Sequence, residues 1–471
     1  SFFRVGFVFR GCPCRRGGGG GIDSPRPASQ RAAAFILTAA MLTTLAAPAF
    51  AKTWYIEDGD ITISAGKTEG TNKVSQGSTT DEEDTDTVIT NNNRDTASSH
   101  TVTIEAKDKD DKVEVTLKDV NIDASSRNEA AVSVTGSGNT TIKLDGDNHL
   151  TGGISDNGSY GLSGISSSGS LTISGGETDS LTAQGGSGTD GSGGRGIFSK
   201  DLTISGGTVN ANGGDGKNGS GGSGITSLGS LTISGGTVNA AGGDGTNSSD
   251  GGDGITNNRG VTISSGGTVT ATGGNSTGSD GSGGDGISST STTISGGTVT
   301  ADGGSGNFSG GNGIRSFDVA ISGGTVNVAG GNGGNGSGSD VGNGIYSSDI
   351  DLSGSLELTA KAGSPNGKAL SRAGHELDLD TIKDKLDPGA KVTATDANGE
   401  TKQVSIPRPV EPEKPVIPGE SSSSSDGGSS APSAPASSLP GLTVTDKDGQ
   451  RISYTSIRGN NVLSLRVGRF T

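Results

Sequence analysis

Aspartate and asparagine recur at matching positions in the glycine-rich middle of this chain, and their oxygen atoms suggest metal chemistry. One set follows a short alternating segment in successive repeats: Asp215, Asp244, Asn275, Ser305 and Asn332. A second set precedes another such segment: Asp253, Asp285, Asn312 and Asn343. Ca²⁺ prefers carboxylate and backbone carbonyl oxygens, so Asp215, Asp244, Asp253 and Asp285 are candidate calcium ligands. The alternative is that Asp and Asn simply suit turns and stack as hydrogen-bonded ladders.

A second array consists of threonine and asparagine on the outward side of one predicted strand per repeat. Its members are Thr208, Asn210, Thr237, Asn239, Thr268, Thr270, Thr298, Thr300, Thr325 and Asn327. Such a flat polar face is a candidate surface for a glycan's hydroxyl groups. Threonine also favours strands for its own sake, so a solvated ladder without a ligand explains the same pattern.

Aromatic residues are the usual stacking partners of sugar rings, and the chain is only 3% aromatic. Phe198, Phe317 and Tyr346 each follow closely after an isoleucine that recurs in the repeats. The spacing makes them candidates for a sugar-binding strip. Packing at the corners or in the core is the alternative, and the pattern favours it.

Catalysis has little support in the sequence. The histidines His100, His149 and His375 are scattered, without a repeated acid or nucleophile beside them. No phosphate-binding loop, zinc spacing or nucleophile motif is present. A polysaccharide lyase would need a base facing a calcium site, and Arg195 and Arg315 are the candidates for it. We therefore predict a protein that is not an enzyme, with a lyase as the alternative.

The elements that position these residues come from an internal repeat. A Leu-Thr-Ile-Ser-like unit starts at residues 171, 202, 231, 261, 292, 319 and 350. Alternation predicts strands whose inward residues are Leu202 and Ile204, then Val209 and Ala211, and finally Ile225. Five apolar side chains cannot enclose a core alone, but stacked coils can. The sequence thus predicts an all-β fold, a right-handed parallel β-helix with three short strands in each coil of about thirty residues. Glycine would serve the corners, where the backbone turns or approaches closely.

The same alternation organises the rest of the chain. Less regular copies place Val113, Val115, Leu117, Val120, Ile122, Val132, Val134, Ile142 and Leu144 inward. We predict an N-terminal cap over 52–99, the β-helix over 100–360 and a C-terminal cap over 361–406, with a short helix within 375–389 and a hairpin turning at Asn398-Gly399. A Pro- and Ser-rich linker over 407–441 and a small β module over 442–471 would follow, with truncation of this module as the alternative.

The beginning of the chain reads as a secretion signal. An apolar run after Arg31 closes with Ala49-Phe50-Ala51, a cleavage pattern, so residues 1–51 are predicted to be a spurious leader followed by a signal peptide. Removal would leave 29 basic and 50 acidic residues, a net charge of −21. Such a chain would repel nucleic acid. Cys12 and Cys14 would also be lost, so the mature chain would form no disulfide.

A family resemblance rests on several segments: "WYIEDGDITISA", "VTLKDVNIDA", "AAVSVTGSGNTTIKLDGDNHLTG" and the iterated "ISGGTVTATGG". They resemble the secreted carbohydrate-binding-domain proteins of gut Firmicutes and a clostridial pectate-lyase-like β-helix that binds acidic plant polysaccharide. The resemblance covers roughly residues 52–405 and implies a secreted solenoid, carbohydrate binding and bound calcium. Where relatives read Gly-Ala-Gly-Ile-Gly-Gly-Gly, this chain has "GGDGIT" or "GGNGIR", which puts a shared site there in doubt.

Together these observations predict a secreted or cell-surface β-helix that binds polysaccharide, with an acidic plant or host glycan as a candidate partner. We expect a monomer without a transmembrane segment after signal cleavage. A polysaccharide lyase and a structural or adhesive surface spacer without a ligand are the rival functions.

Overall fold

The computed structural model describes residues 51–247, 249–334 and 342–409, and two further strands at Tyr454–Gly459 and Val462–Val467. The predicted fold class is confirmed: the chain forms a β-solenoid of about 10 turns with about 30 residues per coil. Each coil contributes up to three strands, and strands of successive coils pair in parallel. We call the three stacks the first, second and third ladders, in their order along the repeat.

The strands are short at the start of the stack and fuse towards its end. The first ladder contains Lys52–Tyr55, Thr87–Thr90, Lys112–Lys118, Asn139–Asp145, Ser170–Ser174, Asp201–Ile204 and Ser230–Ile233. The second contains Asn121–Asp123, Asp147–Thr151, Ser180–Gln184, Thr208–Asn212, Gly236–Ala241, Gly267–Thr272, Thr298–Asp302 and Lys391–Thr395. The third contains Ile61–Ala65, Val102–Ala106, Val132–Gly136, Ile165–Ser167, Ile197–Ser199, Ile225–Ser227 and Leu370–Arg372. Four longer strands continue around a corner and join more than one ladder: Ile255–Ile263, Ile287–Ile294, Ile314–Ala329 and Ile345–Lys361.

The register places like residues above one another. Leu202 pairs with Leu231, and Val209 pairs with Val238. The inward residues predicted from alternation are all buried, including Leu202, Ile225 and the upstream set from Val113 to Leu144. Since each coil covers its neighbours' apolar side chains, burial is continuous along the stack rather than centred on one coil.

Both ends of the stack carry antiparallel additions. Strands within the predicted N-terminal cap already belong to the ladders, because Lys52–Tyr55 and Thr87–Thr90 lie in the first and Ile61–Ala65 lies in the third. Asn72–Gln76 and Thr79–Asp84 add a hairpin beside them. At the other end, Thr401–Ser405 folds back on Lys391–Thr395 around Gly399, and a 3-10 helix spans Leu379–Lys385. His375–Glu376 pairs with Leu370–Arg372, and a second 3-10 helix spans Ile56–Asp58.

Glycine pairs fill the corner between the second and third ladders. The N–H of Gly252 donates to the carbonyl of Gly243 at 2.8 Å, and Gly274 donates to Gly252 at 2.7 Å. This zigzag of hydrogen bonds continues from coil to coil and brings the backbones very close together. A Cβ atom on Gly252 would lie 2.1 Å from the carbonyl oxygen of Gly222. Close approach, rather than an unusual φ, therefore requires glycine here.

The signal peptide and leader predicted before residue 51 and most of the predicted linker lie outside the described residues. The two strands at 454–459 and 462–467 pair antiparallel with each other. They belong to a second compact unit that begins at residue 410.

Candidate functional site

The first Asp/Asn set forms a hydrogen-bonded column at the end of the second ladder. Oδ1 of Asp215 accepts from the backbone N–H of Asp244 at 2.9 Å, and Oδ1 of Asp244 accepts from Asn275 at 2.7 Å. Oδ1 of Asn275 accepts from the N–H of Ser305 in the same way, at 2.9 Å. These residues are exposed. Their side chains cap the amide of the next coil, as the ladder alternative predicts.

The second set forms a similar column just before the third ladder, but it is more buried. Oδ1 of Asp253 accepts from the N–H of Asp285 at 2.8 Å. Oδ1 of Asp285 accepts from both the backbone N–H of Asn312 at 2.7 Å and its side-chain amide at 2.9 Å. Asn312 repeats this arrangement with Asn343, whose Oδ1 accepts from Lys368. One side chain per coil thus satisfies the backbone of the next.

A groove of about 550 Å³ opens over this second column. Its floor consists of the glycine pairs, and its polar lining includes Asp250, Asp253 and Asp285. Phe308 and Arg315 also line it, and Phe308 is 48% exposed. An apolar ring, a guanidinium and carboxyl groups therefore converge on one concave surface. We call it the acidic groove.

Burial dominates the electrostatics of the acidic groove. Loss of solvent raises the pKa of Asp285 to about 7, and the neighbouring charge of Asp253 adds to the rise, while Asn312 and Arg315 oppose it. Burial also raises the pKa of Asp253, against the hydrogen bonds from the Asp285 N–H and the Thr256 hydroxyl. Nη1 of Arg315 lies 3.9 Å from Oδ2 of Asp285. Asp285 is thus poised to exchange a proton near neutral pH.

The predicted calcium ligands do not fit a calcium ion well in the second column. The two carboxylate oxygens of Asp253 already accept from Asp285 and Thr256, and Arg315 faces the second oxygen of Asp285. A calcium ion would have to displace these donors and compete with the proton on Asp285. Across residues 51–247, 249–334 and 342–409, no group of three or more His, Cys, Asp or Glu side chains is arranged to hold a metal ion.

The threonine and asparagine array lies where alternation places it, on the outer side of the second ladder. Register joins Thr208 to Thr237 and Thr268 to Thr298 across successive coils. Nδ2 of Asn239 donates to Oδ1 of Asn210 at 2.8 Å. The remaining members, Thr270, Thr300, Thr325 and Asn327, follow the same register. The array is a flat ladder of half-buried and exposed polar groups.

The three aromatic candidates do not form a continuous strip. Phe198 and Tyr346 occupy the same position on the third ladder, but five strand steps separate them, about 24 Å at the usual spacing. Phe317 lies at the corner after the third ladder and is 62% exposed. Tyr346 pairs in register with Arg315, whereas the face of Phe198 contacts Arg195, with 5.2 Å from Cζ to the ring centroid.

Sequence reasoning missed the part of the groove that the loops contribute. Phe308 and Asp250 lie in glycine-rich loops of unequal length, so no repeat alignment assigns them a position. A single phenylalanine within a loop otherwise built from Gly, Ser and Asn was the available signal for Phe308. Ser282 belongs to the same surface, where its N–H donates to Asp250 Oδ1 at 2.8 Å.

The three histidines lie in different parts of the described fold. Nδ1 of His100 lies 3.4 Å from Asp60, His149 lies on the second ladder, and His375 lies in the C-terminal hairpin. None of them lines the acidic groove.

Comparisons with known proteins found no match to any family model, curated protein or solved structure. In the part of the chain that the structure describes, no helix is long and apolar enough to cross a membrane.

Proposed function

We propose that this β-helix is a secreted or surface-displayed, non-catalytic module that binds polysaccharide in the acidic groove. The observation that carries the proposal is the meeting of Phe308, Arg315 and Asp250 over a glycine floor. Ligand sites in proteins are typically concave, with an apolar surface and a few convergent polar groups. The acidic groove has this composition, and the flat face of the second ladder does not.

The exposed ring of Phe308 supports binding of a sugar, because the C–H face of a pyranose is apolar and stacks on aromatic rings. Arg315 supplies hydrogen-bond donors, and Asp250 supplies an exposed carboxylate acceptor. A hydroxyl group both donates and accepts, so a sugar satisfies both kinds of partner at once. Because the glycines of the floor have no side chains, a ligand can approach the backbone closely.

The charge of the acidic groove favours an uncharged glycan over an acidic one. Asp250, Asp253 and Asp285 face a single guanidinium, that of Arg315. A uronate placed here would meet the exposed carboxylate of Asp250, and above about pH 7 the ionised Asp285 as well. Such like-charge contacts weaken binding. The same reasoning disfavours the rival lyase, whose substrate would be a polyuronate.

The test is a glycan array probed with the full chain, its Phe308→Ala variant and its Arg315→Ala variant. We expect binding to uncharged polysaccharide and about a tenfold loss in Phe308→Ala, from the loss of one aromatic contact. Phe317→Ala is the matched control, because it removes an exposed phenylalanine ring outside the groove.

Two additional measurements separate the alternatives. Binding with and without EDTA tests calcium assistance, and ultraviolet absorbance of unsaturated uronides after incubation with polygalacturonate tests for a lyase. Absence of any glycan binding would leave the spacer function and overturn the proposal. Loss of binding in Phe317→Ala but not in Phe308→Ala would move the site to the aromatic strip expected from the sequence. Detection of the protein in the culture medium or on the cell surface tests the location.

A further inference from the structure

A second groove, of about 720 Å³, lies at the corner between the third and first ladders. It falls within the ~300–1,000 Å³ range of small-molecule sites. Its lining includes Phe198, Lys200, Leu228 and Arg259, contributed by three successive coils. We call it the basic groove. It shares no lining residue with the acidic groove.

Two of the lining residues are cations in a chain whose net charge is −16. Within the described residues, neither Lys200 nor Arg259 forms an ion pair, and both are exposed. The acid in the lining, Asp201, is turned towards the protein, since its Oδ1 accepts from the backbone N–H of Ser230 at 2.9 Å and from its hydroxyl at 3.0 Å. The ammonium and guanidinium groups are therefore available to an anion.

Apolar surface accompanies these charges. Leu228 is 43% exposed, and Phe198 is half-buried with one face against Arg195. Nε of Arg195 donates to the Thr226 hydroxyl at 3.1 Å, which fixes the guanidinium beside the ring. A partly exposed leucine, a half-buried aromatic ring and two unpaired cations thus lie on one concave surface, which offers a ligand both apolar contact and charge.

The corner beneath the basic groove is rigid. Buried serines line its inner side, and Oγ of Ser199 donates to the Asp201 carbonyl at 2.6 Å, while Oγ of Ser227 donates to the Ser230 carbonyl at 3.1 Å. Asn257 occupies the corresponding position in the next coil and donates to the Gly229 carbonyl at 2.7 Å. The turns that present Lys200 and Arg259 are thus held by hydrogen bonds inside the solenoid.

We infer that the basic groove is a binding site for a ring that carries an anionic substituent, a carboxylate or a sulfate ester, as in a uronic acid or a sulfated sugar. Lys200 and Arg259 bind the anion, and Phe198 and Leu228 pack against the ring. Arginine and lysine form their strongest hydrogen bonds with ionised oxygens. This inference does not depend on the proposed function, because the acidic groove takes uncharged glycans with different residues.

The test is isothermal titration calorimetry on the full chain with three probes: a disaccharide containing glucuronic acid, an O-sulfated disaccharide and an uncharged disaccharide. We expect one or both anionic probes to bind, and the probe that binds identifies the substituent. The uncharged probe reports on the acidic groove, so its affinity should be the same in the full chain and in Lys200→Ala/Arg259→Ala. Affinity for the anionic probes should fall with added salt.

Variants assign the binding to the groove. Lys200→Ala/Arg259→Ala should lower the affinity at least tenfold, and Phe198→Ala should also weaken it. Lys361→Ala/Lys391→Ala removes the same charge from the second ladder and should leave the affinity for the anionic probes unchanged. Circular dichroism melting confirms that each variant is folded. Failure of both anionic probes to bind at millimolar concentration, full affinity for them in the double variant of the groove, or an equal loss of affinity for the uncharged probe in that variant would overturn the inference.

Discussion

Asp285 and Asp253 lie one coil apart and are joined by a 2.8 Å hydrogen bond from the Asp285 N–H to the Asp253 carboxylate. The same relationship links Asn312 to Asp285 and Asn343 to Asn312. An amide oxygen and a carboxylate oxygen thus serve interchangeably as the acceptor. Burial nevertheless costs a charged carboxylate much more free energy than it costs a neutral amide. Burial of Asp285 in the column therefore makes the free energy of unfolding depend on pH.

The first prediction concerns this pH dependence. The folded chain keeps the proton on Asp285 up to about pH 7, whereas the unfolded chain releases it near 3.8. Between these two pH values the folded state binds more protons than the unfolded state does. The stabilisation that comes from the proton on Asp285 is therefore complete below about pH 4 and is lost as the pH rises through 7. Asp285→Asn should remove this loss, because the amide continues the column as Asn312 does. The stability gap between variant and wild type, from urea unfolding, should widen from pH 5 to pH 8.

The control for this prediction is Asn275→Ser in the exposed column, which changes no ionisable group and should show no such widening. A gap for Asp285→Asn that is the same at pH 5 and pH 8 would contradict the assignment of the raised pKa.

The second prediction concerns glycine. A Cβ at position 252 would lie 2.1 Å from the Gly222 carbonyl oxygen, so neighbouring coils must separate to admit it. Gly252→Ala should lower the free energy of unfolding by about 3 kcal/mol or more, beyond ordinary overpacking. Gly260→Ala is the matched control, because the nearest atom to its Cβ is 3.9 Å away. Equal melting temperatures for the two variants would refute close approach as the reason for glycine.

The third prediction concerns the first coil, which contains the chain's only tryptophan. Nε1 of Trp54 donates to Oδ2 of the buried Asp84 at 2.8 Å. Asp84→Ala would leave this donor unsatisfied and should cost about 1–3 kcal/mol. In a solenoid the loss falls first on the coil concerned. Trp54 fluorescence should therefore change at a lower urea concentration than the circular dichroism of the whole chain.

Asp58→Ala, which removes an exposed acid from the same coil, provides the comparison for Asp84→Ala. Coincident fluorescence and dichroism transitions in Asp84→Ala would argue against local unfolding of this coil.

The fourth prediction concerns the core column. Ile255 is fully buried and pairs with Ile225 and Ile287 in the neighbouring coils. Ile255→Ala should destabilise the chain by about 2–5 kcal/mol. Thr256→Ala, at the next and outward position, should cost less than half as much, although it removes the hydrogen bond to Asp253. Thermal melting of both variants checks this; a larger cost for Thr256→Ala would show that the polar column outweighs the apolar one.

The sequence by itself determined the β-helix. Alternation fixes which side chains point inward, and repetition about every thirty residues places Leu202 beside Leu231 and Ile225 beside Ile255. Such a pattern can bury its aliphatic residues only if the coils stack, because one coil cannot cover its own five inward apolar side chains. The hairpin at Gly399 and the alternative of hydrogen-bonded Asp and Asn columns followed from equally local rules.

Only the tertiary structure decided where the grooves lie and which acids are buried. Asp244 and Asp285 have similar sequence surroundings, yet Asp244 is exposed and Asp285 is 6% exposed. Phe308 and Arg315 line the acidic groove, and Lys200 and Arg259, which belong to turns of different coils, both line the basic groove. Loop length varies between repeats, so the coil over which a loop residue folds depends on backbone packing between neighbours. Local patterns carry no information about that packing. The packing in turn sets the depth, charge and shape of the acidic and basic grooves.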